Sequence, residues 1–266
     1  DEAGKELVPR FEHRTWNPSR LMQEYRVRSD DAMLHVREEK AVLPHDVALC
    51  TITVSNRGRS PHTIHLVVWT VQESHPSSRE TWITDVGQAD GTLFFRKHVA
   101  GAGRPAMELC AHFGMDRPVR SFAVNMSEGQ SLLPVWEITP FAEKFRNGRL
   151  PGELKLCGVT DDGLLYMALH TRLTVRAGHA ASVSPALAVA PAAEEARLNL
   201  QEALKAHSPV IESRRTWAMH FSRVPYFECS DEFLTRYYWY RWFGLRLNTV
   251  SGSEGNYQRP FVCEGV

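Results

Sequence analysis

Residues 257–265 hold the side chains with the best claim on a ligand. Tyr257, Arg259, Phe261 and Glu264 place aromatic rings beside one cation and one carboxylate, in a turn-rich segment that follows a strongly apolar stretch. Aromatic faces pack against the C–H faces of sugar rings, and charged pairs hold polar substituents. Loops at helix ends are also where ligand groups are commonly placed. An Arg259–Glu264 pair that only braces the loop explains the same residues, so both readings stand at this point.

Other arrangements offer less. The adjacent acids Glu38-Glu39 and Asp161-Asp162 are expected in hairpin turns. Neighbouring side chains diverge, so neither pair can flank one bond as acid and base. His62 and His65 are three apart and on a strand would face opposite ways, which rules out a shared metal. Gly101-Ala102-Gly103 lacks the third glycine and the strand-to-helix setting of a dinucleotide loop. Gly252-Ser253-Glu254-Gly255 lacks the spacing of a nucleophile elbow and reads as a turn. No catalytic set, metal site or cofactor motif is therefore expected within these residues.

The elements that must position the 257–265 loop come next. Residues 229–248 read as a helix that is apolar nearly all the way round. Phe233, Tyr237 and Tyr240 run down one side, and Leu234, Tyr238, Trp242 and Leu245 down another. Ser230 is its expected N-cap, with Asp231 and Glu232 in the first turn. Such a helix needs partners on several sides.

Strand patterns dominate before it. Residues 25–28 and 33–37 alternate on either side of Asp30-Asp31, and residues 47–54 are rich in β-branched side chains. Residues 63–72 are apolar on both faces beyond Leu66, as in a strand covered from both sides. Further strands are expected at 81–86, 92–98, 107–113, 120–125, 133–138, 154–159, 163–169 and 170–175. Residues 1–20 read as irregular, with a turn at Trp16-Asn17-Pro18-Ser19. Residues 180–193 read as a last strand plus linker, and a helix follows with Ala196, Leu200, Ala203 and Leu204 on one face. Residues 211–221 suit another short helix. Many short strands followed by helices argue a mostly β chain, a large antiparallel β-sandwich joined to a second domain.

Composition sets the wider bounds. The 266 residues contain 31 Lys+Arg and 31 Asp+Glu, so no net charge draws the chain to nucleic acid or an anionic membrane. No apolar run is long enough to span a bilayer. Cys50, Cys110, Cys157, Cys229 and Cys263 are odd in number and lack a C-x-x-C pair, so they read as free thiols in a reducing, cytoplasmic setting.

The order of parts resembles a known plan. A large N-terminal sandwich, a helical linker and an aromatic helix look like the first part of a six-hairpin glycosidase with an (α/α)6 catalytic barrel, of the glycogen-debranching and processing α-glucosidase type. The likeness in residues is the pattern Asp231, Leu234, Tyr237, Tyr238, Arg241 and Trp242, similar to the first toroid helix of that superfamily. It implies a supersandwich-like domain over 1–190, a helical linker over 191–228, and the beginning of a truncated toroid over 229–266. It also implies an inverting two-carboxylate hydrolysis of glycosidic bonds, with an oligo- or polysaccharide as substrate and both catalytic acids outside these residues. By the same resemblance Tyr257, Arg259, Phe261 and Glu264 would line the sugar pocket, and this segment alone would be inactive. Three alternatives remain open: a sugar phosphorylase of the same plan, a non-catalytic carbohydrate-binding sandwich, and a homo-oligomer packed through the aromatic helix.

Overall fold

The computed structural model describes residues 9–28, 33–78, 80–100, 107–128, 145, 147–152, 154, 163–205, 209–250 and 259–262. The chain forms two units, Asp1–Ser213 and Arg214–Val266.

The first unit is a mostly β sandwich. Its strands in chain order begin with β1 (Arg10–Asn17), β2 (Arg20–Arg28), β3 (Met33–Leu43), β4 (Val47–Asn56), β5 (His62–Ser74) and β6 (Thr81–Ala89). They continue with β7 (Thr92–Val99), β8 (Met107–Met115), β9 (Ser121–Glu128), β10 (Gly163–Val175), β11 (Ala180–Val183) and β12 (Pro185–Ala190). A nine-stranded sheet has the order β1-β2-β3-β4-β12-β8-β7-β6, with β11 also paired to β4. A three-stranded sheet has the order β5-β10-β9. All the pairings between these named strands are antiparallel.

Period-two alternation places the core between the sheets. Ile64 and Val68 of β5, Leu165, Met167 and Leu169 of β10 and Val124 of β9 pack with Val54, Leu93, Phe95 and Phe113 of the large sheet. The opposite face of the small sheet is also apolar. There Val67, Trp69 and Val71 join Ala123, Tyr166, Ala168, Leu150 and Phe145. The both-face coverage expected of residues 63–72 is thus met by two separate clusters. On the outside of the large sheet lies helix α1 (Ala193–Lys205), whose Leu200 and Ala203 pack on Leu43, Val47, Leu49, Ala186 and Ala188. Burying Leu200 alone contributes about 2 kcal/mol.

Several expectations need correction. Residues 10–17 are a strand rather than irregular; β1 is an edge strand exposed along most of its length, so burial never imposed an alternating pattern on it. The turn after it is a hairpin in which Asn17 Oδ1 accepts from Ser19 N at 3.0 Å and Arg20 N at 3.1 Å. The runs at 163–169 and 170–175 are one strand, β10, paired without a break to β5; His170, which interrupts the apolar pattern in the sequence, is fully buried within it. Residues 180–190 make two strands rather than one. Glu38 and Glu39 lie in the middle of β3, not in a turn. Glu39 pairs with Arg20 at 2.6 Å and Arg37 at 3.0 Å, and Glu38 with Lys40 at 3.0 Å. The expected features at Asp30-Asp31, Gly101-Ala102-Gly103, 133–138, Asp161-Asp162 and Gly252–Gly255, and all of 154–159 except Leu154, lie outside the described residues.

The second unit takes in the end of α2 (Pro209–Phe221), then α3 (Glu232–Leu247) and the short pair β13 (Thr249–Val250) and β14 (Phe261–Val262). Its N-cap is Asp231, one residue later than expected. The Asp231 carboxylate accepts from Phe233 N at 2.8 Å and Leu234 N at 3.2 Å. No described helix is long and apolar enough to cross a membrane.

Candidate functional site

Helix α3 is aromatic on two sides that have different fates. Tyr238, Trp239, Trp242 and Phe243 are half-buried within their own unit. Trp217 meets Phe243 at 5.1 Å, Phe227 meets Tyr238 at 4.9 Å, and Tyr238 Oη donates to Pro225 O at 2.6 Å. The other side, Phe233, Tyr237, Tyr240 and Leu247, follows helical spacing and stays in solvent. Phe233 is 81% exposed and Tyr240 61%, and none of the helix's described residues is buried. Arg241 sits over the Tyr237 ring at 6.0 Å, a cation–π contact at the helix surface.

Of the four residues expected to line a sugar pocket, the structure describes two. Phe261 opens β14 opposite Val250 and is half-buried, and Arg259 lies two residues before it and is exposed. The β13–β14 pairing therefore returns the chain to the C-terminal end of α3 and holds Arg259 and Phe261 close to it. Tyr257 and Glu264 lie outside the described residues.

A second group was not visible in the sequence. His170 is fully buried on the outer face of the small sheet. Its Nε2 lies 3.0 Å from His65 Nδ1, and its Nδ1 lies 2.9 Å from Ser121 Oγ. Ser121 Oγ also accepts from Leu150 N at 3.0 Å. Phe145 closes over the pair, 4.9 Å from His170 edge-on and 5.5 Å from His65. Gly148 has a φ of 70°, and a Cβ there would come within 3.2 Å of His65 Cε1, so glycine is needed both for the turn and for the approach. His65, Ser121 and His170 are far apart in sequence. The β5-β10-β9 register alone brings them together.

The chemistry of this Ser–His–His chain is set by its burial. Loss of solvent, then the neighbouring His65, Arg120 and Arg149, push the His170 imidazole down to about 4. A histidine held neutral this firmly is a weak base, and full burial keeps it from a substrate. Through Ser121 it instead helps hold Leu150 onto the small sheet. His62 lies on the opposite face of β5 from His65, and no group of metal-ligating side chains occurs among the described residues. Cys50, Cys110 and Cys229 are free thiols, and burial raises the Cys50 thiol to about 12, leaving it inert. Cys157 and Cys263 lie outside the described residues.

No family model matches the chain, and no curated protein matches it. Partial likenesses occur among solved structures. One is named "Putative kojibiose phosphorylase from human microbiome", with 9% identity and a TM-score of 0.49. That likeness covers 77% of this chain and 23% of the other. A second, named "Putative aldose 1-epimerase", from Escherichia coli K12, has 9% identity and a TM-score of 0.39 and covers 68% of each chain. A third, the Slr1438 protein from Synechocystis sp. PCC 6803, has 9% identity and a TM-score of 0.38, covering 69% of this chain and 66% of that one.

Proposed function

We propose that this chain is the N-terminal part of an enzyme that cleaves glycosidic bonds with inversion. Residues 1–190 act as a supporting sandwich, 191–228 as a helical linker, and α3 as the first helix of an (α/α)6 catalytic barrel. The observation that carries this reading is the exposed ridge Phe233–Tyr237–Tyr240–Leu247. An apolar ridge of this kind is stable only when covered, and the next helices of a toroid are the cover that the pattern Asp231, Leu234, Tyr237, Tyr238, Arg241 and Trp242 suggests. Both catalytic carboxylates would come from those later helices. One protonates the leaving oxygen, and the other activates water, or admits phosphate in its place, from the opposite face of the sugar.

Tyr257, Arg259, Phe261 and Glu264 would form the first loop of the sugar pocket. The test uses the natural gene product read through Val266. It is incubated with α-linked glucose disaccharides, with and without phosphate, and the anomeric configuration of the first product is followed by proton NMR. Inverted glucose supports hydrolysis, and an inverted sugar phosphate supports phosphorolysis. Retained configuration, or no cleavage of any disaccharide, would sink the reading. In the same enzyme Arg259→Ala should raise KM or lower kcat, and an unchanged rate and affinity would remove the loop from the site. A sandwich cut near residue 190 that kept sugar affinity by itself would favour a binding module.

A further inference from the structure

At one end of the sandwich, away from α3 in sequence, the first unit has an open cavity of about 470 Å³. Among the described residues three segments line it: Gln88 of β6 with Gly91 of the turn after it, residues 119–122 around the start of β9, and residues 149–152. The last two segments are bonded to each other, and the second also to β10. Arg120 N donates to His170 O at 2.9 Å, Leu150 N to Ser121 Oγ at 3.0 Å, and Gly152 N to Phe122 O at 2.9 Å. Arg120 immediately precedes β9, and Arg149 precedes Leu150, whose N–H is bonded to Ser121 at the start of that strand.

Charge is the second observation. None of the described residues lining the cavity is acidic. Among the described residues neither Arg120 nor Arg149 has a carboxylate partner, whereas Arg20, Arg26, Arg37, Arg96 and Arg197 each take one. Both guanidiniums also lie near enough to His170 to act on its charge. Two cations held together without a counter-charge repel one another, and an anion between them relieves that repulsion. Planar guanidiniums match phosphate oxygens with paired hydrogen bonds. The volume falls in the range of small-molecule sites and exceeds the needs of a bare ion. Beyond the arginines, the Gln88 amide offers a donor and an acceptor, and Val119, Phe122 and Pro151 supply an apolar wall.

We propose that this cavity binds a phosphoryl group carried by a small hydroxylated molecule of the sugar-phosphate class, with Arg120 and Arg149 holding the phosphate and Gln88 meeting a hydroxyl. The phosphoryl half stands on the cavity alone, and the sugar half rests on the carbohydrate role proposed above. The site lies in the sandwich, so it would act as a binding or regulatory site and not as the place of bond cleavage.

The test is titration calorimetry on the 266-residue chain in low-salt buffer, with glucose 6-phosphate, inorganic phosphate and glucose as separate probes. Glucose 6-phosphate should bind most tightly, inorganic phosphate more weakly, and glucose not detectably. Arg120→Gln and Arg149→Ala should each weaken glucose 6-phosphate binding about tenfold or more, the scale of one charge-assisted contact. Both side chains are exposed, so their unfolding midpoints should stay at the wild-type value. Arg28→Ala, on β2 at the other end of the large sheet's strand order, should leave binding unchanged. Absence of binding by both phosphate compounds, or binding of glucose 6-phosphate by the Arg120→Gln and Arg149→Ala proteins as tight as by the wild type, overturns the site. Equal affinity for inorganic phosphate and glucose 6-phosphate refutes the sugar half and leaves the phosphoryl half standing. Cleavage of glycosidic bonds is read in a different assay on the longer protein, so failure there is distinguishable from failure here.

Discussion

The buried His170 makes the stability of the sandwich depend on pH in a way that can be calculated. In the unfolded chain its imidazole titrates near 6.5, and in the fold it is held down to about 4. The folded state therefore binds fewer protons than the unfolded state between those values, and stability rises with pH across that window. Above pH 6.5 the His170 contribution is fully kept. As the pH falls towards 4 it is lost, and the loss levels off below. At about 1.4 kcal/mol for each pH unit, the full effect approaches about 3 kcal/mol. The groups facing the ring are His65, Ser121 and Phe145, with Arg120 and Arg149 further out; no acid among them opposes the effect.

The perturbation is His170→Asn, and the assay is urea unfolding of both proteins at several pH values from 4 to 7.5. Loss of the ring will destabilise the variant at every pH, so the informative quantity is the change in the difference between the two proteins. Carboxylates, and His112 (whose pKa burial also lowers), titrate alike in both and cancel. The wild type should lose about 3 kcal/mol more than the variant on going from pH 7 to pH 4. Parallel stability curves would show that His170 keeps its solution behaviour in the fold, and the reading of the buried chain would be wrong.

Two other consequences can be measured directly. Asn56 is 1% exposed; its Nδ2 donates to Ser60 O at 2.7 Å and Val175 O at 3.0 Å, and its Oδ1 accepts from Gly58 N at 2.8 Å. Asn56→Ala should lower sandwich stability by about 2–3 kcal/mol, read by urea unfolding, because buried backbone groups lose their partners. Asp231→Ala removes two hydrogen bonds at the start of a helix with no buried residue, and it should cost about 1 kcal/mol, read as reduced helical circular dichroism on mild heating.

The sequence carried the sandwich well where burial forces a pattern. Residues 47–54 and 63–72 face apolar layers, and the β-branched run of the first and the two apolar faces of the second followed from that. The pattern failed where burial is absent or is achieved with polar groups. β1 has little buried surface to write into its residues, and His170 splits β10 because a buried histidine looks polar in a chain. Glu38-Glu39 misled for a related reason: on a half-exposed strand two acids are stable when Arg20, Arg37 and Lys40 stand opposite. The Ser121–His170–His65 chain and the Arg120–Arg149 cavity had no local signal at all. Each depends on which strands become neighbours, and period and composition do not report that.

The edge strand β1 has a further consequence for the protein in concentrated solution. Among the described residues the large sheet ends there, and such a rim is the kind onto which another chain can add a strand and begin a fibril. Here the rim is defended. Its register slips between Phe11 and His13, Glu12 is tied to Arg26, and the Arg14 guanidinium sits 5.5 Å over the Phe11 ring. A bulge and fixed charges make a poor template for an incoming strand. β1, whose exposed residues carry no strand pattern, therefore serves colloidal stability, keeping copies of a nine-stranded sheet from joining edge to edge.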